Sequence, residues 1–227
     1  MLLPMIPWKL IDRAKAPEGG SELRLYRRGA EFSIRADGLE LMNSRVSFSE
    51  EELARLACER IRETSTPCVL VGGLGMGFTL AAALESLSVS AQVIVSERIP
   101  EVVKWNLGSL GELTHYPLRD SRVSVRETDV ARLIAAGRDI YDVILLDVDN
   151  GPSSMPGAGN EALYDRAGLQ RAFTALRAGG VLGVWSANPD SRFTKCLGDA
   201  GFVVEEISTR ARGYRQGMKH TLWIGRR

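Results

Sequence analysis

The segment Cys68-Val69-Leu70-Val71-Gly72-Gly73-Leu74-Gly75-Met76-Gly77-Phe78-Thr79-Leu80 decides the fold of this chain. A short apolar run enters a cluster of glycines, with Gly73, Gly75 and Gly77 at alternate positions behind Gly72, and helix-forming sequence follows. A buried strand that turns abruptly into a helix needs glycine there, because glycine takes positive φ without strain and lets the backbone approach a ligand closely. The helix behind such a turn offers N–H groups that have no partner within the helix. The plain alternative is a tight strand-to-helix turn with no ligand.

The spacing narrows the ligand. A dinucleotide fingerprint, G-x-G-x-x-G, would place its third glycine where Phe78 stands. The G-x-G-x-G found here suits a nucleoside with no pyrophosphate to cradle, as with S-adenosylmethionine. Acids follow at the ends of the succeeding apolar runs. Glu97 closes the next one, about twenty residues on, where a carboxylate accepts hydrogen bonds from both ribose hydroxyls. Asp129 follows the third, in Glu127-Thr128-Asp129-Val130, where an acid can accept from an adenine amine while Val130 offers its backbone. Asp147 closes the fourth, Tyr141-Asp142-Val143-Ile144-Leu145-Leu146-Asp147. One terminal Asp is as readily a solvated cap. Three acids and a glycine turn at the carboxyl ends of successive strands are a stronger signal, because that edge is where open α/β sheets bind ligands.

Outward from the turn, the apolar runs Cys68–Val71, Gln92–Val95, Val123–Val125, Val143–Leu146 and Val181–Trp185 alternate with helical patterns around Thr79–Leu87, Glu101–Leu107, Val130–Ala136, Arg166–Leu176 and Arg192–Ala200. That alternation predicts a parallel sheet covered on both faces. Phe202–Ile207 and Thr221–Ile224 are separated only by an Arg- and Gly-rich loop, so they are expected to pair antiparallel. Before residue 49 the texture differs: Leu23, Tyr26, Phe32, Ile34, Leu39 and Leu41 lie on short segments broken at Arg28-Gly29 and Asp37-Gly38, which reads as two or three antiparallel strands. Ser49 and Glu52 form a capping-box pattern that predicts a helix from Ser49 to about Glu63, with Leu53, Leu56, Ala57 and Ile61 on one face. The expected organisation is a small N-terminal β-region, residues 1–48, and a Rossmann-like nucleoside-binding domain, residues 49–227.

Composition bounds the partners. The chain has 227 residues, 44% hydrophobic and 25% charged, enough for one good-sized core. Its 29 Lys and Arg nearly balance 28 Asp and Glu, so with a net charge of +1 no global field favours nucleic acid or an anionic membrane. Three cysteines, Cys58, Cys68 and Cys196, at spacings unlike a zinc site, suit reduced thiols and a cytoplasmic location. The apolar opening is too short and proline-broken for a signal segment. His115 and His220, the only histidines, lack the neighbours of a metal site, so both read as structural and no metal is expected.

With these pieces in view, the sequence resembles the spermidine synthase family of aminopropyltransferases, within the class I S-adenosylmethionine-dependent methyltransferase superfamily. The resemblance runs from about Leu39 to Gly183. It rests on Val69 to Gly77, Val95-Ser96-Glu97, Asp129-Val130, Tyr141 to Asp147 with Gly151-Pro152, and Leu163-Tyr164 through Leu176-Arg177-Ala178-Gly179-Gly180-Val181-Leu182, together with the preceding β-region. It implies the strand order of the class I methyltransferase sheet, mostly parallel with the last strand antiparallel. It implies S-adenosylmethionine or its decarboxylated form as co-substrate, a small-molecule amine as acceptor, and a homodimer supported by the β-region. The position matching Asp147 is, in that family, the acid that helps deprotonate the attacking amine. Asp147 and Asp149 would also stabilise cationic substrate in a desolvated pocket.

The departures concern the acceptor. The family's Asp-x-x-Asp-Pro is here Asp147-Val148-Asp149-Asn150-Gly151-Pro152, so the second acid is displaced to Asp149 or replaced by Asn150. Of a Tyr-His-Glu-like triplet at the helix start, Phe48-Ser49-Glu50 keeps only Glu50 as an amine ligand, and a Phe-Tyr pair is replaced by Gly168-Leu169. Two other functions stay open: S-adenosylmethionine-dependent methylation of a small acceptor, and a non-catalytic nucleoside-binding or scaffold protein. The basic loop of Arg210, Arg212, Tyr214, Arg215 and Lys219 reads as solvated in preference to RNA-binding. Trp105 reads as packing in preference to adenine stacking. Ser153 to Gly159 read as a flexible loop, either a linker-like excursion or a lid over the amine pocket, with the lid favoured because a cationic reaction centre gains from excluded water.

Overall fold

Four β-branched and leucine-rich runs in succession can satisfy their backbone and bury both faces only inside one sheet. The computed structural model describes residues 6–15, 21–148, 151–152, 160–213 and 217–227, and it contains that sheet. The chain begins with a smaller one, a meander of β1 (Lys9–Lys15), β2 (Glu22–Arg28), β3 (Glu31–Ala36) and β4 (Leu39–Asn43), each antiparallel to the next. The expectation of two or three strands falls short here. β1 alternates weakly and exposes most of its residues, so hydrophobic periodicity does not reveal it.

The large sheet comprises β5 (Cys68–Gly72), β6 (Gln92–Ser96), β7 (Val123–Arg126), β8 (Tyr141–Leu146), β9 (Leu176–Ser186), β10 (Val203–Arg210) and β11 (Lys219–Arg226), in the order β10-β11-β9-β8-β5-β6-β7. The first five strands are mutually parallel, and β11 inserts antiparallel between β9 and β10. The pairings Val69↔Val143 and Val69↔Val93 make β5 the middle of the five parallel strands, flanked by β6 on one side and β8 on the other. The strand order therefore reverses beside β5, and the crevice outside its carboxyl end is where an open α/β sheet binds ligands.

Among the described residues, seven α-helices cover the sheet: α1 (Phe48–Glu59), α2 (Phe78–Ser86), α3 (Pro100–Leu107), α4 (Val130–Ala136), α5 (Glu161–Tyr164), α6 (Arg166–Ala175) and α7 (Ser191–Asp199). Strand alternation sorts the core into two layers. Val69, Val71, Val143, Leu145 and Val181 pack with α1, α2, α3 and the inner face of the small sheet, Leu25, Phe32 and Ile34. Leu70, Ile144, Leu146, Leu182 and Val184 pack with α4, α6 and α7. Each such fully buried aliphatic side chain contributes roughly 1.5–3 kcal/mol. The indole N–H of Trp105 on α3 donates to Asp12 of β1 at 2.8 Å, so Trp105 is a packing residue that ties the small sheet to the large one.

Two local expectations are corrected. α1 begins at Phe48, one residue earlier than expected, and Ser49 does not cap it. Ser47 supplies the carbonyl that accepts from the N–H groups of both Glu50 and Glu51 at 3.0 Å, while Glu52 turns outward to Arg55 at 2.6 Å. The helix also ends at Glu59, short of Glu63. The three cysteines are free, and burial pushes the Cys58 thiol up to about 12, which keeps it inert. No helix among the described residues is long and apolar enough to cross a membrane.

Candidate functional site

The glycine turn has the backbone its sequence demands. Gly73, Gly75 and Gly77 have φ of +88°, +50° and +87°, values that L side chains rarely adopt. Space is equally restrictive. A Cβ on Gly73 would stand 2.3 Å from the carbonyl oxygen of Asp147, one on Gly77 would stand 2.8 Å from Asn106 Oδ1, and one on Gly72 would stand 2.8 Å from Val130 Cγ2. The turn is thus wedged among β8, α3 and the first residue of α4.

Glu97 follows β6 and folds back onto the turn. Its Oε2 accepts from the backbone N–H of Leu74 at 3.1 Å and its Oε1 from that of Ile99 at 2.9 Å. Burial raises its pKa against these opposing hydrogen bonds. Asp129 caps α4: Oδ1 accepts from the N–H of Ala131 at 2.8 Å, and Oδ2 lies 3.7 Å from the Arg98 guanidinium. The capping role that a terminal Asp often takes is therefore present at Asp129, with Oδ2 beside Arg98. Val130 opens the same helix, with its side chain against Gly72.

Asp147 stands at the carboxyl end of β8, its N–H donating to the Gly72 carbonyl at 3.0 Å. The Thr79 hydroxyl, from the first turn of α2, donates to Asp147 Oδ2. Burial lifts the Asp147 carboxyl from 3.8 to about 6 even with that hydrogen bond opposing it. Glu50, in the first turn of α1, is raised well above the usual carboxylate range by burial, then by the charge of Asp147, then by that of Glu51. A helix N-terminus favours a carboxylate by about 0.3–1 kcal/mol. At Glu50 that effect loses to desolvation and like charge. Among the described residues no cationic side chain pairs with Glu50 or Asp147. Glu50 and Asp147 are thus half-buried carboxylates near enough for the charge of Asp147 to act on Glu50, with no counterion among the described residues, an arrangement that can accommodate a cationic ligand.

Asp149 and Asn150 lie outside the described residues, as do Ser153 to Gly159, Tyr214 and Arg215. Gly168 and Leu169 are structural: the Gly168 N–H is capped by Asp165 at 2.6 Å, and Leu169 is fully buried in the core. A groove of about 490 Å³ runs between α1 and α2, lined in part by Phe48, Glu51, Phe78 and Glu85.

Three contributors escape sequence reasoning. Thr79 meets Asp147 across 68 residues of chain. Asn106, fully buried, donates to the carbonyls of Gly75 and Val102 at 2.9 Å and so holds the turn to α3. Met42 of β4 reaches the turn with its sulfur, which would lie 3.3 Å from a Cβ on Gly75. A polar Asn among the apolar positions of α3 is the signal by which Asn106 could have been found.

No protein-family model matches the chain, and no curated protein matches it in sequence. Solved structures do match it in three dimensions. Spermidine synthase from Thermotoga maritima superposes with a TM-score of 0.75 at 18% identity, covering 96% of this chain and 72% of that one. A spermidine synthase in complex with the transition state analogue AdoDATO gives a TM-score of 0.75 at 17% identity over the same shares. A probable spermidine synthase from Corynebacterium glutamicum gives 0.64 at 13% identity, covering 95% of this chain and 79% of that one. The chain has a spermidine synthase-like fold of the class I methyltransferase type, including the small antiparallel N-terminal sheet.

Proposed function

We propose that this protein is a spermidine-synthase-like transferase that binds an S-adenosyl sulfonium nucleoside and moves its aminopropyl group to a small amine. The observation that carries the reading is the pair Glu50 and Asp147, two carboxylates without a cationic partner among the described residues, beside the glycine turn. Such a nucleoside supplies an electrophilic carbon next to a positively charged sulfur. Gly72, Gly73, Gly75 and Gly77 leave no room for a Cβ where backbone must approach it, and Glu97 holds a carboxylate at the ribose position. Asp129 and Val130 stand at the adenine end.

The remaining work falls to the acids. An amine acceptor arrives as an ammonium and must lose a proton before or during attack. Asp147, with its carboxyl near 6, is ionised at neutral pH yet basic enough to take that proton. Glu50 holds the ammonium in place, and Thr79 fixes the orientation of the Asp147 carboxylate. Asp149 or Asn150 is the proposed further acceptor contact. The complex of a spermidine synthase of the same fold with AdoDATO supports the nucleoside half of this reading.

Product analysis tests it. Incubation with decarboxylated S-adenosylmethionine and a panel of diamines and monoamines should release methylthioadenosine. Release of S-adenosylhomocysteine from S-adenosylmethionine would replace aminopropyl transfer with methylation. Calorimetry showing no binding of either nucleoside or of methylthioadenosine would sink both.

A further inference from the structure

Behind Glu50 lies a buried polar cluster that neither carboxylate explains. Ser49, 1% exposed, sits one residue before Glu50 in the first turn of α1. The Trp185 indole N–H, at the carboxyl end of β9, donates to Ser49 Oγ at 3.0 Å. Ser49 Oγ lies 2.8 Å from Nδ1 of His220 on β11, and the Trp185 and His220 rings meet edge to face at 4.7 Å. Indole only donates, so Ser49 Oγ accepts from Trp185, and the Ser49–His220 hydrogen bond runs in the direction set by which ring nitrogen of His220 carries the proton. Burial pushes the His220 pKa down and keeps the ring neutral.

A serine hydroxyl on an imidazole nitrogen resembles a nucleophile with its base. Burial argues against that here: no substrate reaches a 1% exposed hydroxyl whose oxygen already accepts an indole N–H. The cluster's position gives it another use. It pins the first turn of α1 to the ends of β9, which adjoins β8, and of β11, the next strand beyond β9. It also backs the chain beyond Asp147, where a Cβ on Gly151 would stand 2.7 Å from the Trp185 carbonyl oxygen and 2.6 Å from Ser186 Oγ. The cluster therefore holds the first turn of α1, and the end of β9 that carries Trp185 also packs against the Gly151 backbone.

We infer that Ser49, His220 and Trp185 form a bracket that positions Glu50 against Asp147, holding two like charges closer than they would stay if the first turn of α1 were free. Ser49, His220 and Trp185 are positioning residues on this view. The inference builds on the reading of Glu50 and Asp147 as the acceptor-side acids. The groups that act on the Glu50 charge are Asp147, just beyond the carboxyl end of β8, and Glu51 on its own helix.

The test is a titration of the protein's own groups, so it stands whether or not turnover is found; absent turnover would overturn the functional reading alone. Carboxyl carbons of Glu50 and Asp147 are followed by NMR in the full-length protein labelled at Glu and Asp. Ser49→Ala should lower the Glu50 midpoint by about one pH unit or more as the turn loosens and the charges part. Trp185→Phe should lower it in the same direction, and His220→Asn, which keeps a group able to donate to or accept from the serine hydroxyl, should hold it near the wild-type value. Leu53→Ala serves as the control, since it opens a cavity in the same helix without touching the bracket and should lower stability while leaving the midpoint in place. An unchanged midpoint in folded Ser49→Ala, or an equal shift in Leu53→Ala, overturns the bracket. If Ser49→Ala does not fold, Trp185→Phe decides: an unchanged midpoint there overturns it as well.

Discussion

Replacing Asp147 by Asn should make the empty protein more stable while it removes activity, and the gain should depend on pH. Burial moves the Asp147 carboxyl from 3.8 to about 6. A carboxyl whose folded pKa lies above its unfolded value binds its proton more tightly in the folded chain. Its stabilising contribution is full below 3.8 and is lost as pH rises through about 6. The rise from 3.8 to about 6 corresponds to about 3 kcal/mol of destabilisation at pH 8. The same linkage leaves roughly half of that at pH 5. The advantage of Asp147→Asn should therefore grow by roughly 1 kcal/mol from pH 5 to pH 8, on the order of tenfold in the folding equilibrium constant. Asparagine keeps an acceptor for the Thr79 hydroxyl, so the exchange removes charge and little shape. Removing the charge also relieves Glu50, whose midpoint should fall. Urea denaturation of both proteins at the two pH values, followed by the fluorescence of the four tryptophans, measures the difference. An advantage that is absent at pH 8, or equal at both pH values, would refute the buried-charge reasoning. In the same variant turnover should drop by about a hundredfold or more while nucleoside affinity stays within about twofold; an undiminished rate removes Asp147 from its role.

Thr79→Val deletes the hydroxyl that holds the Asp147 pKa down, so the acid limb of the pH–rate profile should move to higher pH, and an unmoved limb would separate Asp147 from proton acceptance. Gly73→Ala places a Cβ 2.3 Å from the Asp147 carbonyl at a φ of +88° and should cost about 3 kcal/mol with loss of nucleoside binding; a melting temperature within about 2 °C of wild type would contradict the described turn. Asn106→Ala frees the Gly75 carbonyl and should weaken nucleoside binding about tenfold by calorimetry, against no change if the turn is held by its glycines alone.

Much of the fold is legible in the chain because its signals are local. Continuous apolar runs mark β5, β6, β8 and β9, the glycine spacing marks the turn, and the loop too short for a crossover helix marks the antiparallel pairing of β10 with β11. Where the local signal is weak or ambiguous, reading fails. β1 carries no clean alternation, and Ser49, three residues before Glu52, has the pattern of a capping box although its hydroxyl points into the protein. The pattern fits either use; only the tertiary partners of the hydroxyl distinguish them.

The sequence alone determined that this protein has a glycine turn after a buried strand and acids at the carboxyl ends of the strands that follow. Those features depend on neighbours within a few residues, on chain period and on steric need. The tertiary structure decided what those acids experience. Thr79 meets Asp147 over 68 residues and Ser49 meets His220 over 171. Burial and like charge raise Glu50 and Asp147 only because a helix from before the first strand of the large sheet and the end of its fourth are brought to one edge. Proton affinity follows from desolvation and from charges in space, and linear order does not record either.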